Sequence, residues 1–542
     1  MFSSSNKKKT INIPEKNRLQ IFNSKDIFYL IFNYFEFYFL IKNVLRINKQ
    51  INSHLLSFFY LSSSKKENKK LNFNYEKDIP FYYIPPNFFS HLLNKYYFLT
   101  HLTIHMDLGN FNTCINRFAG LSQLVNLKEF AFYESHNKSK DYRIDNNFRK
   151  LISFLPSKSL TSFKYKENSN NIISNINFTP IKVYWFWTKN LIHSLPNLTE
   201  LSLSHIYLCR PPPPCELYAF GNLKILEIGF NHNPIFEFGF LTECNQVEHL
   251  SLKTRKATKL KEMTDQFLNL LTNKKEEEKK EEETPPTFLP NLTELSLDHY
   301  TKELLVVFHN IYTLFPETSF CSFHKLKLFY EEREWCFYPI ICYEINTYQI
   351  NLYTLIQSLE LNGLHLSCQI LNHLPNLKEV KFIDCLFSFY KEANANSLNK
   401  VLQEMKSNHL ETLIVRNCRE TCSYVDEKEE NDPTIPRYMV NKSITSKIYF
   451  DWYNLKQLPS LKVLELEGCI LDFSLFNSSS SLFSGLKELV IFSCYEIVPK
   501  EELSFWNRSK SMFEKYYFVP LNKSKVMNLL VNPNVIQFYF KT

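Results

Sequence analysis

Leu461-Lys-Val-Leu464-Glu-Leu466 contains the spacing that decides the fold, because leucines occupy its first, fourth and sixth positions. Apolar residues return with this spacing between residues 99 and 491, and we count thirteen copies. Their first, fourth and sixth residues are Leu99, Leu102, Ile104; Leu127, Phe130, Phe132; Leu160, Phe163, Tyr165; Leu198, Leu201, Leu203; Leu223, Leu226, Ile228; Val247, Leu250, Leu252; Leu292, Leu295, Leu297; Phe323, Leu326, Leu328; Ile356, Leu359, Leu361; Leu377, Val380, Phe382; Leu410, Leu413, Val415; Leu461, Leu464, Leu466; and Leu486, Leu489, Ile491. The repetition predicts one structural unit used many times along the chain.

The distance between copies indicates the kind of unit. The tightest spacings are 25, 24, 21 and 25 residues, starting at Leu198, Leu223, Ile356 and Leu461. They lie within the roughly 20- to 29-residue period of leucine-rich repeats, whose units each supply a strand and a helix. One unit cannot bury its own apolar face, so units stack and share a core. We therefore predict an α/β fold, a leucine-rich-repeat solenoid of horseshoe form, over residues 98–542.

Proline and charged runs mark the boundaries between units. Four copies follow Leu-Pro-Asn or Leu-Pro-Ser, as in Leu195-Pro-Asn-Leu198, and the proline is expected to end the helix before the strand. Longer spacings of 45 residues after Val247 and 51 after Leu410 indicate insertions. We predict inserted loops near residues 211–214, 274–286 and 420–445.

Composition excludes several classes of partner. The net charge is +8, but no arginine-rich stripe accompanies it, so we expect no nucleic-acid partner. The thirteen cysteines form no dense even framework, and the first ten residues are polar, so we expect no signal peptide and a cytoplasmic or nuclear protein. The apolar stretch 27–41 is too short for a membrane span and contains Glu36. We expect no membrane partner.

No catalytic motif is present in the sequence. The chain has only eight glycines and lacks phosphate-binding loops, the nucleophile elbow and the HExxH zinc motif. Cys418 and Cys422 form one loose pair without a second half. We expect no enzyme, catalytic residue, metal or cofactor.

Alternate strand residues should form a binding surface, because side chains two, four and six residues after each first leucine point away from the core. This surface is polar and mixed in charge, which suits a protein partner. An alternative interpretation is that these are ordinary solvent-facing residues. The predicted target-binding residues are Glu200, Ser202, Ser204, His249, Ser251, Lys253, Glu294, Ser296, Asp298, Glu379, Lys381, Arg416, Glu465 and Glu467.

Cysteine recurs eight residues after the first leucine in four of the last copies. These residues are Cys385, Cys418, Cys469 and Cys494. We expect small buried side chains without special reactivity.

Residues 21–60 form an apolar segment with helical periodicity, and here the sequence resembles an F-box. The stretch Asp26-Ile-Phe-Tyr-Leu-Ile-Phe-Asn-Tyr-Phe35 is similar to the first helix of that family. Ile41, Val44 and Ile47-Asn-Lys-Gln-Ile51 are similar to its second part. The sequence departs from the family pattern at Asn23-Ser24, where a leucine-proline pair is usual, and at Ile51, where tryptophan is usual.

F-boxes followed by cysteine-containing leucine-rich repeats are a known family arrangement. The resemblance implies a substrate-recognition subunit of a cullin-type SCF ubiquitin ligase, with a Skp-type adaptor, a cullin scaffold and an unknown target protein as partners. The implied adaptor-binding residues are Ile27, Phe28, Ile31, Phe32, Phe35, Ile41, Val44 and Ile47. The alternative is a leucine-rich-repeat interaction scaffold without a ubiquitin role, whose amino-terminal helices cap the repeats. Around this segment we expect a disordered tail, 1–20, and a linker or cap, 61–97.

Overall fold

The computed structural model describes part of the chain. The described residues are 70–74, 99–106, 115–134, 150–167, 181–183, 194–208, 221–230, 241, 244–254, 287–298, 304–330, 351–366, 371, 374–389, 398, 401–402, 409–422, 444–450, 452–471, 485–499, 516–520 and 537–541. The predicted F-box-like segment 21–60 lies outside them, as do the predicted insertions 211–214 and 274–286 and most of 420–445.

The chain divides into two compact units. The first unit comprises Met1–Asn171 and Phe186–His205, so its boundary falls inside a strand. Its strands are β1 (Lys70–Asn74), β2 (His101–Met106), β3 (Glu129–Glu134), β4 (Ser162–Glu167) and the first part of β6 (Glu200–Leu208). They pair in the order β1-β2-β3-β4-β6, and every pair is parallel.

The second unit comprises Ile172–Trp185 and Ile206–Thr542. Its long sheet is entirely parallel and contains β7 (Ile225–Phe230), β8 (His249–Thr254), β9 (Glu294–Asp298), β10 (Lys325–Phe329), β11 (Ser358–Asn362), β13 (Glu379–Ile383), β15 (Thr412–Arg416), β19 (Val463–Glu467), β21 (Glu488–Phe492) and β24 (Gln537–Lys541). A short strand, β5 (Ile181–Val183), pairs with the last three residues of β6.

Each predicted copy supplies one strand of these sheets, and its apolar residues form the core. All thirty-nine side chains at the first, fourth and sixth positions are buried, none with more than 4% of its surface exposed. Fully burying such a side chain contributes about 1.5–3 kcal/mol. In the first unit four core positions of β3 and β4 are aromatic: Phe130 stacks on Phe163 at 6.0 Å and Phe132 on Tyr165 at 5.5 Å. The predicted leucine-rich-repeat architecture is confirmed in both units.

In the repeats that carry the Leu-Pro-Asn motif, the asparagine links the repeat to the one before it. The asparagine of the Leu-Pro-Asn motif donates its side-chain NH2 to a carbonyl of the preceding repeat. Asn197 donates to Lys158 at 2.8 Å, and Asn376 donates to Thr354 at 2.7 Å. The motif therefore stops a helix and also satisfies a carbonyl that would otherwise need water.

The described segments that lead into the strands include the predicted α-helices and also 3₁₀ helices. Residues 150–154 and Leu304–Leu314 are α-helical, and the second helix buries Phe308 and Ile311 in the core. Three other described segments are 3₁₀ helices, at Ile115–Gln123, Asn351–Leu355 and Trp452–Gln457. A 3₁₀ helix rises further per residue than an α-helix, so fewer residues span the distance back to the next strand.

The last five predicted copies share a sharp corner seven residues after the first leucine. The corner residues have left-handed backbones with φ of 46° to 70°, and they are Gly363, Asp384, Asn417, Gly468 and Ser493. Short second strands follow each corner: β12 (His365–Leu366), β14 (Leu386–Phe389), β16 (Arg419–Cys422), β20 (Ile470–Leu471) and β22 (Tyr495–Pro499).

These second strands form two small sheets. The first has the order β12-β14-β16-β17 and the second β18-β20-β22-β23. In each sheet the last strand runs antiparallel, namely β17 (Ile444–Lys447) and β23 (Tyr516–Pro520), whereas β18 (Tyr449–Phe450) pairs in parallel. The sequence analysis did not predict these strands or β1 and β24.

Candidate functional site

The side chains between the core positions of each strand point away from the core. In β13, β15, β19 and β21, partly exposed and buried residues alternate strictly along the strand. We define the strand face of each unit as the side chains two, four and six residues after the first leucine of each repeat. Neighbouring strands pair without offset, so equivalent positions form straight rows across the sheet.

In the first unit, the strand face carries a chain of ionic contacts. Lys164 Nζ lies 3.0 Å from Glu200 Oε1 and 3.6 Å from Glu129 Oε1. Glu129 also lies 3.8 Å from His101 Nε2, and Ser162 donates its hydroxyl to Glu200 at 2.6 Å. These contacts join β2, β3, β4 and β6 side by side.

The strand face of the second unit carries a similar network from β8 to β13. Glu294 accepts from Lys325 at 2.8 Å and lies 3.4 Å from His249 Nδ1. Lys327 Nζ lies 2.7 Å from Glu360 Oε1. On the next strand, Lys381 Nζ lies 2.9 Å from Glu379 Oε1, and Ser358 donates to the other oxygen of that carboxylate at 2.5 Å. Each pair of opposite charges on adjacent strands contributes roughly 0.2–1 kcal/mol to stability.

The pKa values follow from these contacts. Burial works to lower the pKa of Lys325, but the hydrogen bond and charge of Glu294 outweigh it and raise the pKa. The pKa of Lys164 is raised in the same way, with Glu200 as the main partner. Burial works to raise the pKa of Glu379, yet hydrogen bonds from Ser358 and Lys381 lower it. These groups are charged at neutral pH and are held by partners, which suits recognition better than proton transfer.

A bidentate ion pair lies further along the strand face. The guanidinium of Arg416 donates through Nε and Nη2 to the two carboxylate oxygens of Glu465, at 2.5 and 2.9 Å. The hydrogen bond to Glu465 raises the pKa of Arg416. This planar geometry fixes both side chains, since each has two bonds to its partner.

The predicted target-binding residues have unequal access to a partner. Ser202, Lys253, Ser296 and Asp298 point outward but are buried, and Lys253 Nζ lies 5.1 Å from the centre of the Phe329 ring. The Ser204 side chain lies outside the described residues. Partly exposed side chains are those of Glu200, His249, Ser251, Glu294, Glu379, Lys381, Arg416, Glu465 and Glu467. Target binding by these residues stays a prediction.

Several strand-face residues were missed by the sequence analysis. They include the ionic partners Lys164, Lys325, Lys327 and Glu360 and the aliphatic residues Ile383, Ile414, Val463 and Val490. All of them satisfy the same offset rule of two, four or six residues. The signal was therefore present, and applying the rule to every copy and to every residue type would have found them.

The four cysteines that lie eight residues after the first leucine of their repeats are buried, as predicted. Cys385, Cys418 and Cys494 donate their thiols to carbonyls of the preceding repeat at 3.2 to 3.3 Å. Burial and the neighbouring Cys385 thiol raise the pKa of Cys418 well above its usual value. A thiol that stays protonated at neutral pH is a poor nucleophile, so the Cys418 contact is structural.

Within the part of the chain that the structure describes, no group of three histidine, cysteine, aspartate or glutamate side chains is arranged to hold a metal ion. No helix there combines the length and the apolar character that crossing a bilayer requires.

No protein-family model and no curated protein matches this sequence. Three solved structures are similar at low identity. PEPR1–AtPEP1 has 11% identity and a TM-score of 0.24, with 70% of this chain and 43% of that one covered. The LRIM1/APL1C complex has 12% identity and a TM-score of 0.25, with 75% and 50% covered. The leucine-rich-repeat ectodomain of the Arabidopsis receptor kinase HAESA, bound to an extended IDA peptide hormone, has 13% identity and a TM-score of 0.25. In this case 74% of this chain and 56% of that one are covered.

This chain therefore spans about half the length of the structures it matches. TM-scores this low carry no argument about shape or function. The fold assignment rests instead on features of the chain itself: the repeat period, the parallel strands in register and the shared core of repeated apolar positions. Together they establish a leucine-rich-repeat architecture in each of the two units.

Proposed function

We propose that this chain binds a protein through its strand faces. The observation that carries the proposal is the run of outward side chains from β13 to β21, all three of which are partly exposed on each strand. Charged, polar and aliphatic groups alternate over a few strand spacings there. Interfaces between proteins use such mixtures, with apolar anchors surrounded by polar side chains.

Site-specific photo-crosslinking of the full chain tests this function. A photoreactive amino acid at Thr412, on the strand face, should give a discrete crosslinked protein. The same amino acid at Leu314, which is 56% exposed at the end of the α-helix, serves as the matched control. Equal crosslinking from both positions, or crosslinking from Leu314 alone, would contradict binding through the strand face.

A more specific function is supported by the sequence. Residues 21–60 resemble an F-box, and they precede repeats with cysteine eight residues after the first leucine. This arrangement favours a substrate-recognition subunit of a cullin-type SCF ubiquitin ligase. In this proposal, Ile27, Phe28, Ile31 and Phe32 and the other apolar residues of that segment contact a Skp-type adaptor. The strand face then holds a target protein for ubiquitin transfer by other subunits.

A pull-down of the purified adaptor with the full chain decides this point. We expect the intact chain to retain the adaptor and Ile31→Asp/Phe32→Asp to lose it, because charge on a buried contact is strongly unfavourable. Asn33→Asp adds one such charge at a polar position and should bind like the unchanged chain. Absence of adaptor binding by the intact chain would remove the ubiquitin-ligase proposal and leave protein binding by the strand face unaffected.

The alternative function is an interaction scaffold whose amino-terminal helices cap the repeats. Deleting residues 1–60 distinguishes the two, and this deletion leaves β1 in place to pair with β2. Removal of a cap should lower the thermal midpoint of the repeats, since their end becomes exposed. Removal of a separate docking module should leave it unchanged.

A further inference from the structure

Access to the strand face of the second unit improves toward its carboxy-terminal strands. Each strand from β7 to β11 buries at least one of its three outward residues. Six residues after the first core residue of each repeat, for example, Lys253, Asp298 and Phe329 are all buried. In β13, β15, β19 and β21, all three outward side chains are partly exposed. Among the strands of the second unit whose side chains the structure describes, these four are the ones on which a partner can reach every row.

Aliphatic side chains form a diagonal across this accessible area. Ile383 lies six residues after the first core residue of its repeat, Ile414 four residues after and Val463 two residues after. Their strands are adjacent, with Lys381 opposite Ile414 and Thr412 opposite Val463, so each step moves one strand across and two residues back. Diagonal neighbours of this kind are about 7–8 Å apart, close enough for one apolar surface to cover them together. Val490 and Phe492 continue the apolar character on β21.

The charges around the diagonal leave an acidic excess on the same face. Arg416 is neutralised by both oxygens of Glu465, and Lys381 by Glu379. Glu467 accepts only a long hydrogen bond from Asn417, at 3.3 Å. Neither Glu467 nor Glu488 forms an ion pair with another described side chain. Within the described part of this face, these two carboxylates are therefore the ones without an ion-pair partner.

The residues just before the strands carry the opposite charge. Lys462 pairs with Glu411 at 2.8 Å, and Lys378 donates to Gln357 at 3.0 Å. Lys487 adds a further basic side chain at this edge. The edge therefore differs in sign from the face, which fixes the direction in which a charged partner can lie across the strands.

We propose that the face of β13, β15, β19 and β21 docks a protein segment in which aliphatic side chains stand beside a lysine or arginine. The proposal rests on the protein-binding function proposed above and specifies the partner of that same surface. The aliphatic side chains cover the diagonal of Ile383, Ile414 and Val463, and the basic side chain reaches Glu467 or Glu488. Carboxylates at this place disfavour nucleic acids and anionic lipid surfaces.

Selection from a library of random displayed peptides, with the full chain as bait, tests the proposal. Enriched peptides should combine aliphatic residues with lysine or arginine, and their affinity should fall as salt is added. Synthetic copies of these peptides then serve as probes in fluorescence anisotropy. Enrichment of acidic or wholly polar peptides would overturn the proposal.

Matched variants locate the binding. Ile414→Asp should weaken peptide binding by at least about tenfold, because it places a charge in the apolar contact. Ile225→Asp makes the same change at a partly exposed outward position of β7 and should alter binding less than about twofold. Ile414→Ala keeps the strand uncharged and should give an intermediate loss, which guards against misfolding of the aspartate variant. Glu467→Gln should weaken binding and reduce its dependence on salt.

The remaining outcomes separate this proposal from the proposed function. Peptide binding that is insensitive to Ile414→Asp overturns the docking area but leaves protein binding intact. Absence of any enriched peptide, together with a crosslinked protein at Thr412, has the same meaning. Absence of both overturns the function itself. A dimer in sedimentation that Ile414→Asp dissociates would identify a second copy as the occupant and overturn the partner proposed here.

Discussion

The chain follows different paths at the ends of the strands in early and late repeats. In the repeats that begin at Leu99, Leu127, Leu160, Leu198, Leu223 and Val247, the seventh residue after the first position is still within the strand. In the last five repeats this residue forms a left-handed corner, and a second strand follows. The difference teaches that one position, outside both the core and the strand face, decides whether a repeat continues straight or turns.

The identity of the seventh residue explains the difference. In the early repeats it is methionine, glutamate, histidine, phenylalanine or threonine, and in the late ones it is glycine, aspartate, asparagine or serine. Glycine has no Cβ to oppose a positive φ, and asparagine and aspartate tolerate it better than large or branched residues. The residue after the turn is buried, and it is cysteine in four cases and Leu364 in the fifth.

The largest effect that tests this comparison is expected at Gly363. Its φ is +68°, and a Cβ there would lie 2.7 Å from the Tyr330 carbonyl oxygen. Gly363→Ala should lower the free energy of unfolding by about 3 kcal/mol, combining backbone strain with a backbone clash. Hydrogen exchange of residues 351–366 measures the local loss.

Gly485→Ala is the matched control, because its Cβ would meet only atoms at 3.5 Å and its φ is not positive. We expect this variant to be neutral or slightly stabilising. Equal losses in the two variants would show that the corner does not determine the stability of the late repeats.

The second effect concerns the residue that each corner buries. Cys418→Ser should lower stability by about 1–2 kcal/mol, since a hydroxyl is more expensive to bury than a thiol even though carbonyls of Phe382 and Arg416 are within reach. Urea denaturation gives the change. Cys321→Ser, at an exposed cysteine, should be neutral. A neutral Cys418→Ser would mean that the corner tolerates any small residue.

A third variant should improve the corner. Ser493 adopts φ of 46° without the benefit of a glycine backbone or an amide side chain. Ser493→Gly should raise stability by about 0.5–1 kcal/mol, because it removes the left-handed strain. Ser493→Ala retains the Cβ and should give no gain. Thermal unfolding followed by circular dichroism distinguishes them, and a gain in both variants would contradict the explanation.

The smallest effect comes from the strand face, which is common to early and late repeats. Because its hydrogen bonds lower the pKa of Glu379 below the usual 4.5, its contribution to stability is present above that pH and is lost as pH falls through the folded-state pKa. Glu379→Gln should therefore lower stability by about 0.2–0.5 kcal/mol at pH 7. Denaturation at a series of pH values should show this difference shrinking as pH falls below 4.5, the usual pKa of the carboxyl group; a constant difference would exclude the ionic origin.

The core could be predicted from the sequence because it depends on a short period. Leu461, Leu464 and Leu466 are buried for the same reason as Leu99, Leu102 and Ile104, namely that fixed offsets along a strand place side chains on one face. No knowledge of the neighbouring repeat is needed. The direction of Glu379 and Arg416 away from the core followed from the same rule.

Features that depend on two repeats at once could not be predicted in this way. The pairing of Arg416 with Glu465 joins residues 49 positions apart, and the buried Lys253 lies over the ring of Phe329, which belongs to another repeat. The 3₁₀ helices reflect how much chain remains before the next strand, which varies among the repeats. The corner was visible as five short or flexible residues at one offset, but their differing identities hid the pattern.

The equal register of the strands has a consequence for how this chain can change length. Leu410 and Leu461 are separated by 51 residues, and Ile356 and Leu377 by 21, yet both pairs of repeats align without offset. Doubling a connecting loop costs only about 0.6 kcal/mol of closure entropy. A single residue added inside a strand would instead turn its apolar side chains outward. Residues can therefore be added between strands, in evolution or as inserted reporters, with little loss of stability. The number of residues within a strand is fixed.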